Sequence, residues 1–222
     1  MTLAQLIAQF RADARDAVAP HLFSDAQVTG WLNEAENEAA IRARLLHESA
    51  SSTICTISVT AGQTSYALSP LLYEIDHIGF IAADATARKP VKLISRAELD
   101  VSESDWRDRT GPVQYAIQDD SSIRLAFTPE ADGILVMEGF RLPVEPLTIT
   151  TDTPEINAVH HRHLVDWALF RAFSVPDAET LDAGRAASAE ARFTAYFGIK
   201  PDADLRRSTR QDTQHHIPAF WA

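Results

Sequence analysis

Apolar positions recur at helical spacing near both ends of the chain and alternate with polar ones in its middle. Leu3, Leu6, Ile7, Phe10, Ala14 and Val18 step by three or four residues and predict an N-terminal helix. A second helix is predicted over "SDAQVTGWLNEAENEAAIRARLL". Ser24 and Gln27 form a capping-box pattern at its start, in which Ser24 accepts an orphan backbone N–H. Val28, Trp31, Leu32, Ala35 and Ala39 line one face of it, while Glu34, Asn37, Glu38 and Arg42 point elsewhere. Glu38 stands four residues before Arg42, the favourable order for a surface ion pair.

The period then changes. In "TICTISVT", Cys55, Ile57 and Val59 alternate with Thr56, Ser58 and Thr60, as in a half-buried strand. "AGQTS" is a turn and "YEIDHIGFIAA" a further strand. "SRAELD" reads as a short helix capped by Ser95, with Glu98 three residues on. "DWRDRTGP" is a charged loop. Strands follow at "VQYAIQ", "SIRLAFT" and "GILVMEGFRL". "DDS" predicts a hairpin between the first two, and "TPEADG" predicts another between the second and third.

Helical spacing returns with "HLVDWALFRAF", followed after Val175-Pro176 by "PDAETLDAGRAASAEARFTAYF". Leu164, Trp167, Ala168, Leu169, Phe170 and Phe173 make the first of these apolar nearly all round, which predicts deep burial. The second is rich in alanine (Ala183, Ala186, Ala187, Ala189, Ala191), permitting close helix approach, and Gly198 supplies a stop. The whole predicts an α+β fold: a helical bundle formed by N- and C-terminal helices, an inserted antiparallel β-rich portion and an extended C-terminal arm. The expected boundaries are 1–49 and 155–198 for the bundle, 50–154 for the β-rich portion and 199–222 for the arm.

Composition narrows the function more by exclusion than by assignment. The 222 residues include 31 Asp and Glu against 20 Lys and Arg, a net charge of −11. That balance opposes a surface that grips nucleic acid through its phosphates. No apolar run is long enough to predict a membrane span, and the N-terminus lacks a secretory-signal pattern. The single cysteine, Cys55, rules out an internal disulfide and fits a reducing cytoplasm. No P-loop, dinucleotide fingerprint or nucleophile elbow occurs. Asp119 and Asp120 sit in a turn, where Asp is favoured for local hydrogen bonding.

The densest chemistry is "HHRH". His160 and His163 are three apart, so on a helix they share a face and could ligate one metal. The two-histidine zinc pattern with its intervening glutamate is absent, and a helix N-terminus itself favours neutral imidazole. The histidines are therefore read as the exposed first turn of a helix, with no catalytic residue, metal or cofactor assigned. The tail is the stronger candidate for binding. It carries Arg206, Arg207 and Arg210, then His215 and His216, and ends in Ile217, Pro218, Phe220 and Trp221. Aromatic anchors on a polar arm predict docking on a partner or on a neighbouring copy.

Taken in order, "FSDAQVTGWLNEAENEAAIRARLL", "ISVTAGQTSYAL", "LYEIDHIGF", "SRAELD…DWRDRTGPVQYAI", "IRLAFTPEADGILVMEGFRLPVEPL" and "HHRHLVDWALFRAFSVPDAETLD" resemble the head-to-tail adaptor proteins of tailed bacteriophages. The resemblance spans about residues 20 to 198. It implies a structural virion protein at the head-tail junction, made in the host cytoplasm and not an enzyme. It further implies a homo-oligomeric ring of twelve copies under the portal protein, offering a platform to the tail or nozzle. Genomic DNA would pass through the channel without specific binding, helped by an acidic wall. Similar proteins grip the portal with a C-terminal extension, a role that would fall here to the arm. The alternative is a cell-wall-degrading hydrolase associated with the tail, which would require two carboxylates across a cleft.

Overall fold

A computed structural model describes residues 1–176 and 180–201. In chain order its elements are α1 (Leu3–Ala14), α2 (Asp25–Ala43), β1 (His47–Glu48), the single turn α3 (Ser52–Cys55), β2 (Thr56–Val59), β3 (Ser65–Ala67), β4 (Leu72–Ala82), β5 (Lys89–Pro90), β6 (Lys92–Leu93), α4 (Arg96–Ser102), β7 (Thr110–Gly111), β8 (Tyr115–Gln118), β9 (Ser122–Leu125), β10 (Thr128–Pro129), β11 (Gly133–Arg141), α5 (His161–Phe173) and α6 (Ala183–Phe197). The fold is α+β, with helices toward both ends of the sequence and an antiparallel-rich β portion between, as the periodicity predicts. Two compact units result: Met1–Leu46 with Arg141–Pro201, and His47–Phe140.

In the helical unit α1, α2 and α6 each start where a side chain accepts from an orphan amide, Asp182 doing so for α6. Thr2 and Gln5 form a reciprocal capping box on α1, and Ser24 and Gln27 form the predicted one on α2. α1 buries Leu3, Leu6, Phe10 and Ala14, then stops at Arg15, whose φ of 63° is left-handed. Val18, placed by spacing on the same stripe, consequently lies beyond the helix and is exposed. The turn into α2 is held by Asp16, which is 3% exposed and accepts from Arg11 Nη1 at 2.7 Å and Leu22 N at 2.8 Å. Arg11 also donates to the Phe23 carbonyl at 3.1 Å, so neither buried charge stands alone.

α5 packs most extensively on α6, then on α2 and α1. It buries Leu164, Val165, Trp167, Ala168, Leu169, Ala172 and Phe173, in keeping with its apolar circumference. Ala186 and Ala189 of α6 are buried and small enough to bring the helices together, while Phe193 and Phe197 fill the space beyond them. α6 ends at Gly198, whose φ of 91° is readily adopted only without a Cβ. Residues 141–160 belong with these helices. Asn33 of α2 pins them at Leu147, donating to its carbonyl at 3.0 Å and accepting from its amide at 2.8 Å.

The β unit contains two four-strand paths, β1-β11-β4-β5 with β2 also on β11, and β3-β9-β8-β6, plus the parallel pair β7 and β10. One core joins residues of both larger sheets, including Val59, Leu72, Ile78, Leu135 and Met137 from the first and Tyr66, Ala116, Ile123 and Leu125 from the second. On its other face the second sheet contributes Ile117 to a smaller core with Leu99 of α4, Trp106 and Phe127. β4 and β11 approach so closely at Gly139 that a Cβ there would stand 2.2 Å from the Glu74 carbonyl oxygen.

The predicted β8–β9 hairpin forms, with Gln118 opposite Ile123. The second predicted hairpin does not. β9 pairs with β3 and β8, whereas β11 pairs with β1, β2 and β4, so "TPEADG" carries the chain from one sheet to the other. Cys55 is buried as predicted but ends the helical turn α3, and the strand begins only at Thr56. The Cys55 side chain lies 3.6 Å from the Glu48 carbonyl, a local contact that alternation along the strand does not encode.

Candidate functional site

The three histidines occupy the junction between the 141–160 segment and α5, and they do not act as one group. His160 is the N-cap residue, in αR conformation and without a side-chain capping bond. Its Nδ1 lies 3.2 Å from the Tyr196 hydroxyl of α6. His163 stacks on the same Tyr196 ring at a centroid separation of 3.5 Å and an interplanar angle of 16°. The pair does share a face, and that face is filled by an aromatic ring. Burial, then the neighbouring His163 and His161, hold the His160 imidazole below its ordinary pKa of 6.5.

His161 departs from the reading of an exposed first turn. It is 3% exposed, with Nε2 2.9 Å from the Ile156 carbonyl and Nδ1 2.6 Å from the Met1 amino group. With the carbonyl as acceptor, Nε2 carries the proton and Nδ1 accepts, a neutral tautomer that completes a buried polar contact. Among the described residues no cluster of three or more His, Cys, Asp or Glu side chains is placed to hold a metal ion.

One turn further, Asp166 is 6% exposed and links the helices. Its Oδ1 accepts from Arg192 Nε at 2.7 Å, and its Oδ2 lies 3.7 Å from His163 Nδ1. Asp166 and Arg192 border a cleft of about 460 Å³ between α1, α5 and α6, lined also by Asp13, Arg162, Arg185 and Ser188. Arg162 donates to Asp13 at 2.8 Å, and Arg185 donates to the carbonyls of Asp13 and Ala14 at the α1 C-terminus. The cleft therefore has its guanidinium groups occupied by partners of its own, an arrangement that ties helix ends together.

Sequence reasoning also passed over Glu36, which is 2% exposed on α2. Its Oε1 accepts from the backbone amides of Glu155 and Ile156 at 2.6 and 3.3 Å, which anchors the segment leading into α5. Burial raises the Glu36 carboxyl above its ordinary 4.5, and the two amides only partly oppose this. The available signal was its position four residues after Leu32 and three before Ala39, on the apolar stripe itself. The arm residues Arg206, Arg207, Arg210, His215, His216, Ile217, Pro218, Phe220 and Trp221 lie outside the described residues.

A family model described as SU10 adaptor protein matches residues 1–215. The chain belongs to this family. SU10 adaptors are head-tail adaptors of phages, so the chain is a structural component of a virion. No curated protein matches it. The match extends beyond the 20–198 span of the sequence resemblance. It takes in Arg206, Arg207, Arg210 and His215 and stops before the terminal Ile217, Pro218, Phe220 and Trp221. As befits an assembly protein, the conspicuous polar residues of the helical unit are spent on internal contacts. Among the described residues no helix is long and apolar enough to cross a membrane.

Proposed function

We propose that this SU10-family adaptor assembles as a ring of twelve copies beneath the portal protein, extends the DNA channel and offers a docking platform to the tail or nozzle. The observation that carries this reading is the family match over residues 1–215. The C-terminal arm, with Arg206, Arg207 and Arg210 followed by the aromatic end, is the portal-gripping element. The net charge of −11 suits a channel wall that repels phosphates and lets DNA slide past without specific binding. The chain is made in the host cytoplasm and performs no catalysis.

Electron microscopy of the purified protein mixed with its portal tests the proposal directly: a closed twelve-fold ring on the portal is expected. Truncation after Gly198 is expected to preserve the fold and abolish portal attachment. Peptidoglycan turnover that disappears on substitution of one acidic residue, with no ring on the portal, would overturn the reading in favour of a tail-associated hydrolase.

A further inference from the structure

The β unit contains five arginines, and four of them are neutralised locally. Arg88 donates to Glu138 at 2.9 Å, Arg96 holds Asp119 with two bonds of 2.7 Å, Arg107 pairs with Asp100, and Arg109 donates to Glu103 at 2.7 Å. Arg124 is different. Its side chain has no hydrogen bond or ion pair among the described residues, and its buried Nε is one of two buried side-chain nitrogen or oxygen atoms there without a partner.

Its position is nevertheless well defined. The Arg124 guanidinium lies 5.1 Å from the ring centroid of Trp106, a residue 1% exposed whose indole N–H donates to Asp100 at 2.8 Å. Arg107 lies 4.3 Å from the same ring, and it takes the charge of Asp100. A cation–π contact engages the charge without using the Nη donors, and neither Nη of Arg124 is among the buried unpartnered atoms, so the pair can still meet a carboxylate. Arg124 faces Ser65 of β3 across the ladder, and β3 is the outer strand of this sheet. Ser65 is small and exposed, so the neighbour toward the sheet edge does not cover the half-buried arginine.

The geometry points to Arg124 as an anchor that receives a carboxylate from a second copy of this chain across a subunit interface at the β3 edge. The partner follows from charge. Each copy has 31 acidic residues against 20 basic ones, so carboxylates outnumber the cations available to them. Asp84, Asp120 and Glu130 of this same unit are exposed and carry no ion pair among the described residues. A half-desolvated arginine held in place by an aromatic ring gains more from such a carboxylate than a freely solvated one does. This inference rests on the proposed ring and adds a residue of its subunit contact.

The test uses the full chain as wild type, Arg124→Gln and Arg124→Lys, with and without portal protein, followed by mass photometry across concentration and salt. Arg124→Gln is expected to raise the concentration for assembly at least about tenfold, and wild-type assembly to weaken with salt. Arg124→Lys keeps the charge without the fork and is expected to fall between the two. Thermal melts check that the variants fold; a melt lowered equally in both, with assembly of the folded material unchanged, would assign Arg124 to internal packing and overturn the proposal. Rings formed alike by wild type and Arg124→Gln would overturn it while leaving the ring intact. A wild-type chain that stays monomeric even on the portal would sink the ring and this inference together. Duplex DNA retained by wild type and lost in Arg124→Gln, with rings unaffected, would replace the carboxylate by a phosphate and also refute it.

Discussion

Removing the Glu36 carboxylate tests how the helical unit holds the segment leading into α5. Glu36→Ala leaves the Glu155 and Ile156 amides without the acceptor that now sits 2.6 and 3.3 Å away. A buried donor left unsatisfied costs about 1–3 kcal/mol, and relief of the buried charge offsets part of the sum, so the expected loss is about 2–4 kcal/mol. Glu36→Gln keeps an acceptor oxygen and is expected to cost less than about 1 kcal/mol near neutrality. The pH dependence has a definite sign. Burial raises the folded carboxyl above its ordinary 4.5, so the native state retains a proton that the unfolded chain has released. Stability from this group is present below 4.5 and is lost as pH rises through the folded value. Glu36→Gln cannot titrate, so its stability relative to wild type should improve with rising pH. Urea unfolding of wild type and both variants between pH 4.5 and 8 measures this. Equal losses for the two substitutions, or a Gln-to-wild-type gap that moves the other way, would refute the reasoning.

Two further predictions concern the α5–α6 contact. Phe193 is fully buried, 4.9 Å from Trp167 and 4.7 Å from Phe197 by ring centroids, so Phe193→Ala should destabilise the unit by about 3–5 kcal/mol in urea unfolding. A loss below about 1 kcal/mol would mean that α6 does not pack on this face. His160 is held below 6.5, so between its folded value and 6.5 the unfolded chain binds more protons, and stability should fall as pH drops through that window. His160→Asn should flatten this slope; an unchanged slope between pH 5 and 7.5 would exclude His160 as its source.

Local signals predicted local structure well, because their causes are local. Ser24 and Ser95 cap their helices as the three-residue spacing to Gln27 and Glu98 requires, and Gly198 ends α6 through its own backbone freedom. The readings that failed needed information from distant residues. "TPEADG" has hairpin composition, but strand pairing is decided by which sheet buries β11, and Leu135 and Met137 face a core shared with β4. His161 looked like its neighbours because the sequence does not place the Ile156 carbonyl and the Met1 amino group around it.

The buried and half-buried polar residues follow the same logic: the period places them, and distant residues supply their partners. Glu36 stands on the apolar stripe of α2 through Leu32, Ala35, Ala39 and Ala40, so its burial was implied by period alone, although its amide partners were not. Arg124 sits on β9 with Ile123 and Leu125 facing the main core on either side of it, so alternation places it on the opposite face of the sheet. What alternation cannot supply is Trp106, which arrives from the "DWRDRTGP" loop, or the ion pairs that neutralise every other arginine around it. A charge left over after all local pairs have formed is a property of the folded surface. Such a leftover, and not the dense histidine motif whose side chains are occupied internally, is what a neighbouring subunit can engage.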